Sequence, residues 1–215
     1  MLPPLALTVL LVVANVLGAA MAAPQAIRLM RTHTTSGVSS VWVGVSIAMN
    51  GWWLVYGVAA GLWALVPISV NAIVLYAVVA VVLTRLRLGR APLEIAMGAT
   101  IGLVPLPALA LGGLNAAGVA IGVGYGLQLA PAVVASFRTR ELHGVAPGTW
   151  IMAFVESAIW FLYGLTVVDP ALLVGGTSGV VLPALLLGRL VATGHRPFRR
   201  PAWIARVTRP AWSLG

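Results

Sequence analysis

Apolar runs about as long as a bilayer is thick recur seven times along the chain, separated by short clusters of Arg, Gly, Pro or Asp. A spanning helix needs about 20 predominantly apolar residues. The runs fall at about 5–27, 38–60, 63–84, 94–114, 117–136, 149–167 and 171–190, and they leave no room in 215 residues for a soluble domain. Composition agrees with this reading. Only 8% of the residues are charged and mean hydropathy is +1.03, whereas a water-soluble domain carries roughly 25% charged residues. The expected fold is an all-α membrane protein with seven transmembrane helices.

The charges orient it. All thirteen basic residues are Arg, against four acids. They lie at Arg28 and Arg31, at Arg85, Arg87 and Arg90, at Arg138 and Arg140, at Arg189, and in a tail holding Arg196, Arg199, Arg200, Arg206 and Arg209. With seven spans every cluster falls on one side of the membrane. The positive-inside rule makes that side cytoplasmic and the N-terminus external; the plasma (inner) membrane is the expected location. A six- or eight-span reading breaks the segregation. Ala20-Met21-Ala22 looks like a signal-peptide cleavage site, but no basic region precedes the first apolar run, so that run reads as a helix. The tail, with Trp203 and Trp212, reads as a polybasic segment near anionic lipid rather than a nucleic-acid binder. The absence of Lys excludes a retinal Schiff base. With no Cys and three His, neither a metal site nor a cofactor is expected, and the chain does not read as an enzyme.

An ungapped internal match lies at an offset of 107 residues. Ala23-Pro24 aligns with Ala130-Pro131, Arg31-Thr32 with Arg138-Thr139, Gly37-Val38 with Gly144-Val145, Trp53 with Trp160, and Tyr56-Gly57 with Tyr163-Gly164. The offset spans an even number of helices, so the two copies insert in the same orientation. The expected layout is 3+1+3: a first triple-helix repeat over 1–86, an inverting linker helix over 87–115, a second repeat over 116–190, and the basic tail over 191–215. Parallel repeats related by an axis along the membrane normal are one way to build a transporter with its site between the halves. The plain alternative is a duplicated bundle with no path through it.

In combination, these motifs resemble the SWEET sugar transporter and PQ-loop superfamily. Ala23-Pro24-Gln25 is similar to the PQ motif, and residues 31–39 to the turn that follows it. Trp53-Leu54-Val55-Tyr56-Gly57 and Trp160-Phe161-Leu162-Tyr163-Gly164 are similar to the Trp and Tyr-Gly signatures of helices two and six. The resemblance implies that Trp53 and Trp160 are aromatic platforms for substrate and Asn71 a hydrogen-bonding partner. Ser178 stands at the matching position of the second repeat, where the SWEET pattern has Asn. It also implies proline hinges at Pro24, Pro131 and Pro147, with Ser40 at the fourth position; Gln25 has no counterpart, because Ala132 follows Pro131. A homo-oligomer is compatible with this reading.

The residue chemistry fits a pocket for a small polar solute, since Trp offers a broad face and one N–H, and Asn both donors and an acceptor. Trp42, Trp52, Trp63 and Trp150 read instead as an interfacial belt. Glu156 lies four residues before Trp160, on the same helical face, and an ionised carboxylate there is costly. It is either a protonated acid bonded to a backbone carbonyl or a group that carries a proton or pairs with a cationic solute. Asn15, Asn50, Ser157 and Gln128 are secondary path-lining candidates, with helix-to-helix glue as their plain alternative. Pro105 and Pro107 read as structural kinks, and Asp169 as an exposed acid. The expected function is alternating-access diffusion of a small polar solute, a mono- or disaccharide. The alternatives are a proton-linked carrier of an amino acid or related solute, and a non-transporting membrane receptor.

Overall fold

A computed structural model describes residues 3–33, 39–86, 89–138 and 147–194. Among the described residues it is entirely helical: α1 Pro4–Thr32, α2 Ser40–Ala59, α3 Leu65–Leu86, α4 Ala91–Ile101, α5 Pro105–Arg138, α6 Pro147–Val167 and α7 Pro170–Ala192. Six stretches are long and apolar enough to cross a membrane, with Ala91–Arg138 taken as one of them. The chain is an integral membrane protein. Its exterior agrees: Leu5, Val9, Val12 and Val16 form an exposed stripe along α1, and an apolar face of that kind is a liability in water but not in lipid.

The expected fourth span, 94–114, is not one helix. α4 stops at Ile101, a turn follows, and Pro105 opens α5. Pro105 supplies no amide donor and disfavours helical geometry in the residue before it. The turn is held by short-range bonds from Leu103 N to Thr100 O and Val104 N to Ile101 O. α5 is broken in turn at Gly113, whose φ of 66° and ψ of −159° lie outside helical geometry.

Helices pack in a pattern that repeats. α3 packs closely on both α1 and α2, whose backbones do not approach each other among the described residues; α7 likewise packs on α5 and α6, whose backbones also stay apart. Across the middle, α1 meets α6 and α2 meets α5, pairs that exchange under the 107-residue offset. α4 lies against α2, where Gly44 faces the Ile95 carbonyl and Gly98 the Val41 carbonyl too closely for any side chain. Small residues let helix backbones approach in this way.

The turns after α2 and α6 show the same correspondence. Leu62 N donates to Gly57 O at 2.7 Å and Asp169 N to Gly164 O at 3.0 Å. Gly61 (φ 70°) and Val168 (φ 54°) are both left-handed. This is the helix-ending arrangement in which a left-handed residue lets the next amide reach back to a carbonyl five residues earlier.

The buried residues form three clusters. One holds Ala26, Leu29, Val43, Val79, Leu83 and Ala91, all from α1–α4. A second holds Val133, Leu186 and Leu190, with Trp150 packed on it, all from α5–α7. The third, which includes Ala14, Met49, Tyr56, Leu65, Ile121, Trp160 and Leu172, draws on both sets of helices. It lies toward the end bearing the two turns, opposite the helix ends that carry Arg31, Arg85, Arg138 and Arg189.

Candidate functional site

A cavity of about 110 Å³ adjoins the shared cluster. Twelve of its lining residues form pairs at the 107-residue offset: Met49 and Glu156, Asn50 and Ser157, Trp53 and Trp160, Leu65 and Leu172, Ile68 and Gly175, Ser69 and Gly176. Tyr125 and Gln128 of α5 complete it. One turn of α2 (Met49, Asn50, Trp53) and one of α6 (Glu156, Ser157, Trp160) therefore face a common space. Spacings of three and four residues place Met49 and Asn50 one turn from Trp53, and Glu156 and Ser157 one turn from Trp160.

The second set brings the charge. Glu156 is 7% exposed, and the indole Nε1 of Trp160 donates to its Oε1 at 3.1 Å. Ser157 Oγ and Tyr125 Oη are 3.4 Å apart, and either can donate. Asn50 Nδ2 donates to Ser46 O at 2.8 Å. Gln128 Nε2 is buried and has no partner among the described residues. Trp53 lies edge-on to Tyr56, with centroids 6.4 Å apart, and Trp160 stands to Tyr163 at 6.2 Å. The Trp53 ring also rests on Gly175, where an added Cβ would come within 3.3 Å of it.

Above the cavity, the Tyr56 hydroxyl donates to Asp169 Oδ2 at 2.6 Å, joining α2 to the start of α7. Asp169 Oδ1 accepts from Leu172 N at 2.9 Å and so caps α7. The expectation of an exposed Asp169 is corrected: it is 9% exposed and engaged through both oxygens. An N-cap carboxylate satisfies amides that a helix start leaves without partners.

Of the residues picked from sequence, Trp53, Trp160, Glu156, Asn50, Ser157 and Gln128 line the cavity. Asn71 and Ser178 do not. Each stands one turn past a lining residue, Ile68 or Gly175, toward the Arg-bearing helix ends and so beyond the cavity. Asn71 Nδ2 is buried without a partner among the described residues, and Ser178 Oγ returns to Val174 O. Asn15 is also outside the lining; its Nδ2 bonds Leu11 O and Ala64 O, tying α1 to the start of α3. Pro131 is inside α5 and Pro147 opens α6, the position at which Ser40 opens α2. Pro24 and Gln25 fall within α1, but their side chains lie outside the described residues, as do the Arg-rich tail and residues 139–146.

No family model and no curated protein matches the chain.

Four site residues escaped the sequence reading. Ser69 and Tyr125 carried no signal beyond being polar in an apolar run. Tyr56 stands out in the sequence only as part of the Tyr-Gly signature, and Asp169, lying between apolar runs, reads as an exposed acid. Among the expected belt residues, Trp63 is exposed, whereas Trp52 packs inward and its Nε1 donates to Gly102 O at 3.0 Å, satisfying the turn after α4.

Proposed function

We propose that the chain is a transporter of a small polar solute that works by alternating access, in an arrangement of the SWEET and PQ-loop kind. On this reading α1–α3 and α5–α7 are parallel repeats. The stretch 91–112, helical on either side of the turn at 102–104, is the linker span, and the break at Gly113 separates it from 114–138, so that seven segments cross the membrane. The Arg-bearing ends face the cytoplasm and the N-terminus is external.

One observation carries the proposal: among the described residues, the two sets of helices share a buried core at one end only. At the two-turn end they are joined by the mixed cluster and by the Tyr56–Asp169 bond. At the Arg-bearing end each set has its own cluster, and no cluster among the described residues bridges them. A bundle locked by duplication alone has no reason to leave one end without a common core. A two-state carrier needs that arrangement, with one end sealed over a cavity and the other free to part. Opening the sealed end breaks the Tyr56–Asp169 bond, a hydrogen bond to a charged group worth about 1.5–3 kcal/mol. That is small enough for solute binding to shift the balance between states.

The cavity sets the size of the solute. About 110 Å³ is the liquid volume of roughly four waters at about 30 Å³ each, so the sugar reading narrows to a solute no larger than a monosaccharide. The proton-linked reading draws on Glu156, the acid in the lining.

Uptake into proteoliposomes separates the readings. Flux of a small polar solute that ignores a pH gradient supports simple diffusion, and flux driven by the gradient supports the proton-linked carrier. Sealed, correctly folded vesicles that move no solute from a broad panel of sugars, amino acids and amines would contradict transport and leave the receptor reading.

A further inference from the structure

The cavity holds one acid and no base. Glu156 lines it, and none of the other lining residues is Arg or His. The described arginines with known surroundings sit at the far helix ends, where Arg189, for example, bonds Ser136 O and lies 5.5 Å from the Phe137 ring. The contact to Oε1 comes from the neutral indole of Trp160, which orients the carboxyl group without cancelling a charge. A carboxylate at this depth is stable only when something neutralises it.

The rest of the wall suits a cation. Trp53 and Trp160 are the lining's two indoles, beside the Tyr125 ring, and aromatic rings attract cations through their electron-rich faces, Trp most strongly. Gly175 supports this by leaving bare backbone where any side chain would strike the Trp53 ring. Opposite Glu156 stands Met49, so the pairing supplies one charge rather than two. The uncharged polar groups, Asn50, Ser69, Tyr125, Gln128 and Ser157, lie on α2, α3, α5 and α6. Gln128 Nε2, buried and unpartnered among the described residues, is a donor for an acceptor atom on a solute.

We propose that the solute is a small organic monocation, with its charged nitrogen beside the Glu156 carboxylate and the faces of Trp53 and Trp160, and a hydroxyl or carbonyl group toward Gln128. The proposal rests on the transport reading above and replaces its sugar with an amine. A neutral sugar leaves Glu156 to be neutralised by a proton alone, and an anion is repelled by the carboxylate.

The test uses cations and neutral molecules of the same shape: choline with 3,3-dimethylbutan-1-ol, ethanolamine with 1-propanol, and glucose as the sugar control. Full-length protein is assayed by thermal unfolding in detergent and by uptake of labelled probe into proteoliposomes. Choline or ethanolamine should bind about tenfold or more tightly than its neutral twin, as expected for a partly desolvated charge pair aided by aromatic faces. Glu156→Gln should abolish that margin. Should this variant fail to fold, Glu156→Met, which copies Met49, and Trp53→Phe serve instead, the second narrowing the margin. Equal binding of cation and twin, or binding of glucose alone, overturns the cation proposal; transport of glucose would leave the carrier reading standing. A cation that binds with the expected margin but never crosses the membrane supports the site and contradicts transport.

Discussion

The turn from Gly57 to Leu65 and the turn from Gly164 to Leu172 follow nearly the same backbone path and use it for different ends. In the first, Gly61 takes the left-handed position and Leu65 N donates to the backbone carbonyl of Leu62 at 2.9 Å. In the second, Val168 takes that position, and the equivalent amide, Leu172 N, donates instead to the side chain of Asp169. The remaining Asp169 oxygen then accepts from Tyr56, 113 residues away. Tyr163, the counterpart of Tyr56, has only Leu62 at the matching place. The same asymmetry recurs in the cavity, where Met49 faces the position of Glu156. One half supplies uncharged groups and the other supplies the acids. A repeated backbone thus allows a single latch and a single charge at a site built from paired residues.

Making the second turn resemble the first should have the largest effect. Asp169→Leu removes the α7 cap, at about 1 kcal/mol, and leaves the buried Tyr56 hydroxyl unpaired, at about 1–3 kcal/mol. Thermal unfolding in detergent should show a combined loss of about 2–4 kcal/mol, and a variant as stable as the parent would show that the latch contributes nothing. Tyr56→Phe keeps the cap and removes only the bond across the halves. The expected loss is about 1.5–3 kcal/mol, accompanied by easier opening of that end.

Backbone geometry gives the smaller effects. Gly61→Val places a β-branched residue in a left-handed conformation that costs roughly 1–2 kcal/mol for residues with a Cβ, and the unfolding midpoint should fall accordingly. Val168→Gly runs the other way and should stabilise the protein by about 0.5–1 kcal/mol, because relief of strain exceeds the entropy that glycine adds to the unfolded chain. Opposite signs for these two substitutions sharpen the comparison; equal signs break it.

The helices were legible because apolar runs and Arg clusters alternate plainly, and so were Trp53, Trp160 and Glu156, which stand out in an apolar background. What was not legible depends on partners far away in sequence. Asp169 reads as an exposed turn acid until Tyr56 is beside it. Asn71 comes to the site only through the family resemblance, and it lies one helical turn beyond the lining residue Ile68. The break before α5 is signalled by Pro105 and Pro107, but nothing local marks Gly113 as the site of a second break.

Because the chain has no cysteine, a single reporter thiol can test the central claim directly. Ser69→Cys places one in the cavity wall, and a membrane-impermeant thiol reagent is applied to right-side-out and to inside-out vesicles. The account predicts labelling from both faces, with Tyr56→Phe accelerating it from the external face. Labelling from one face alone, unchanged by Tyr56→Phe, would contradict alternating access.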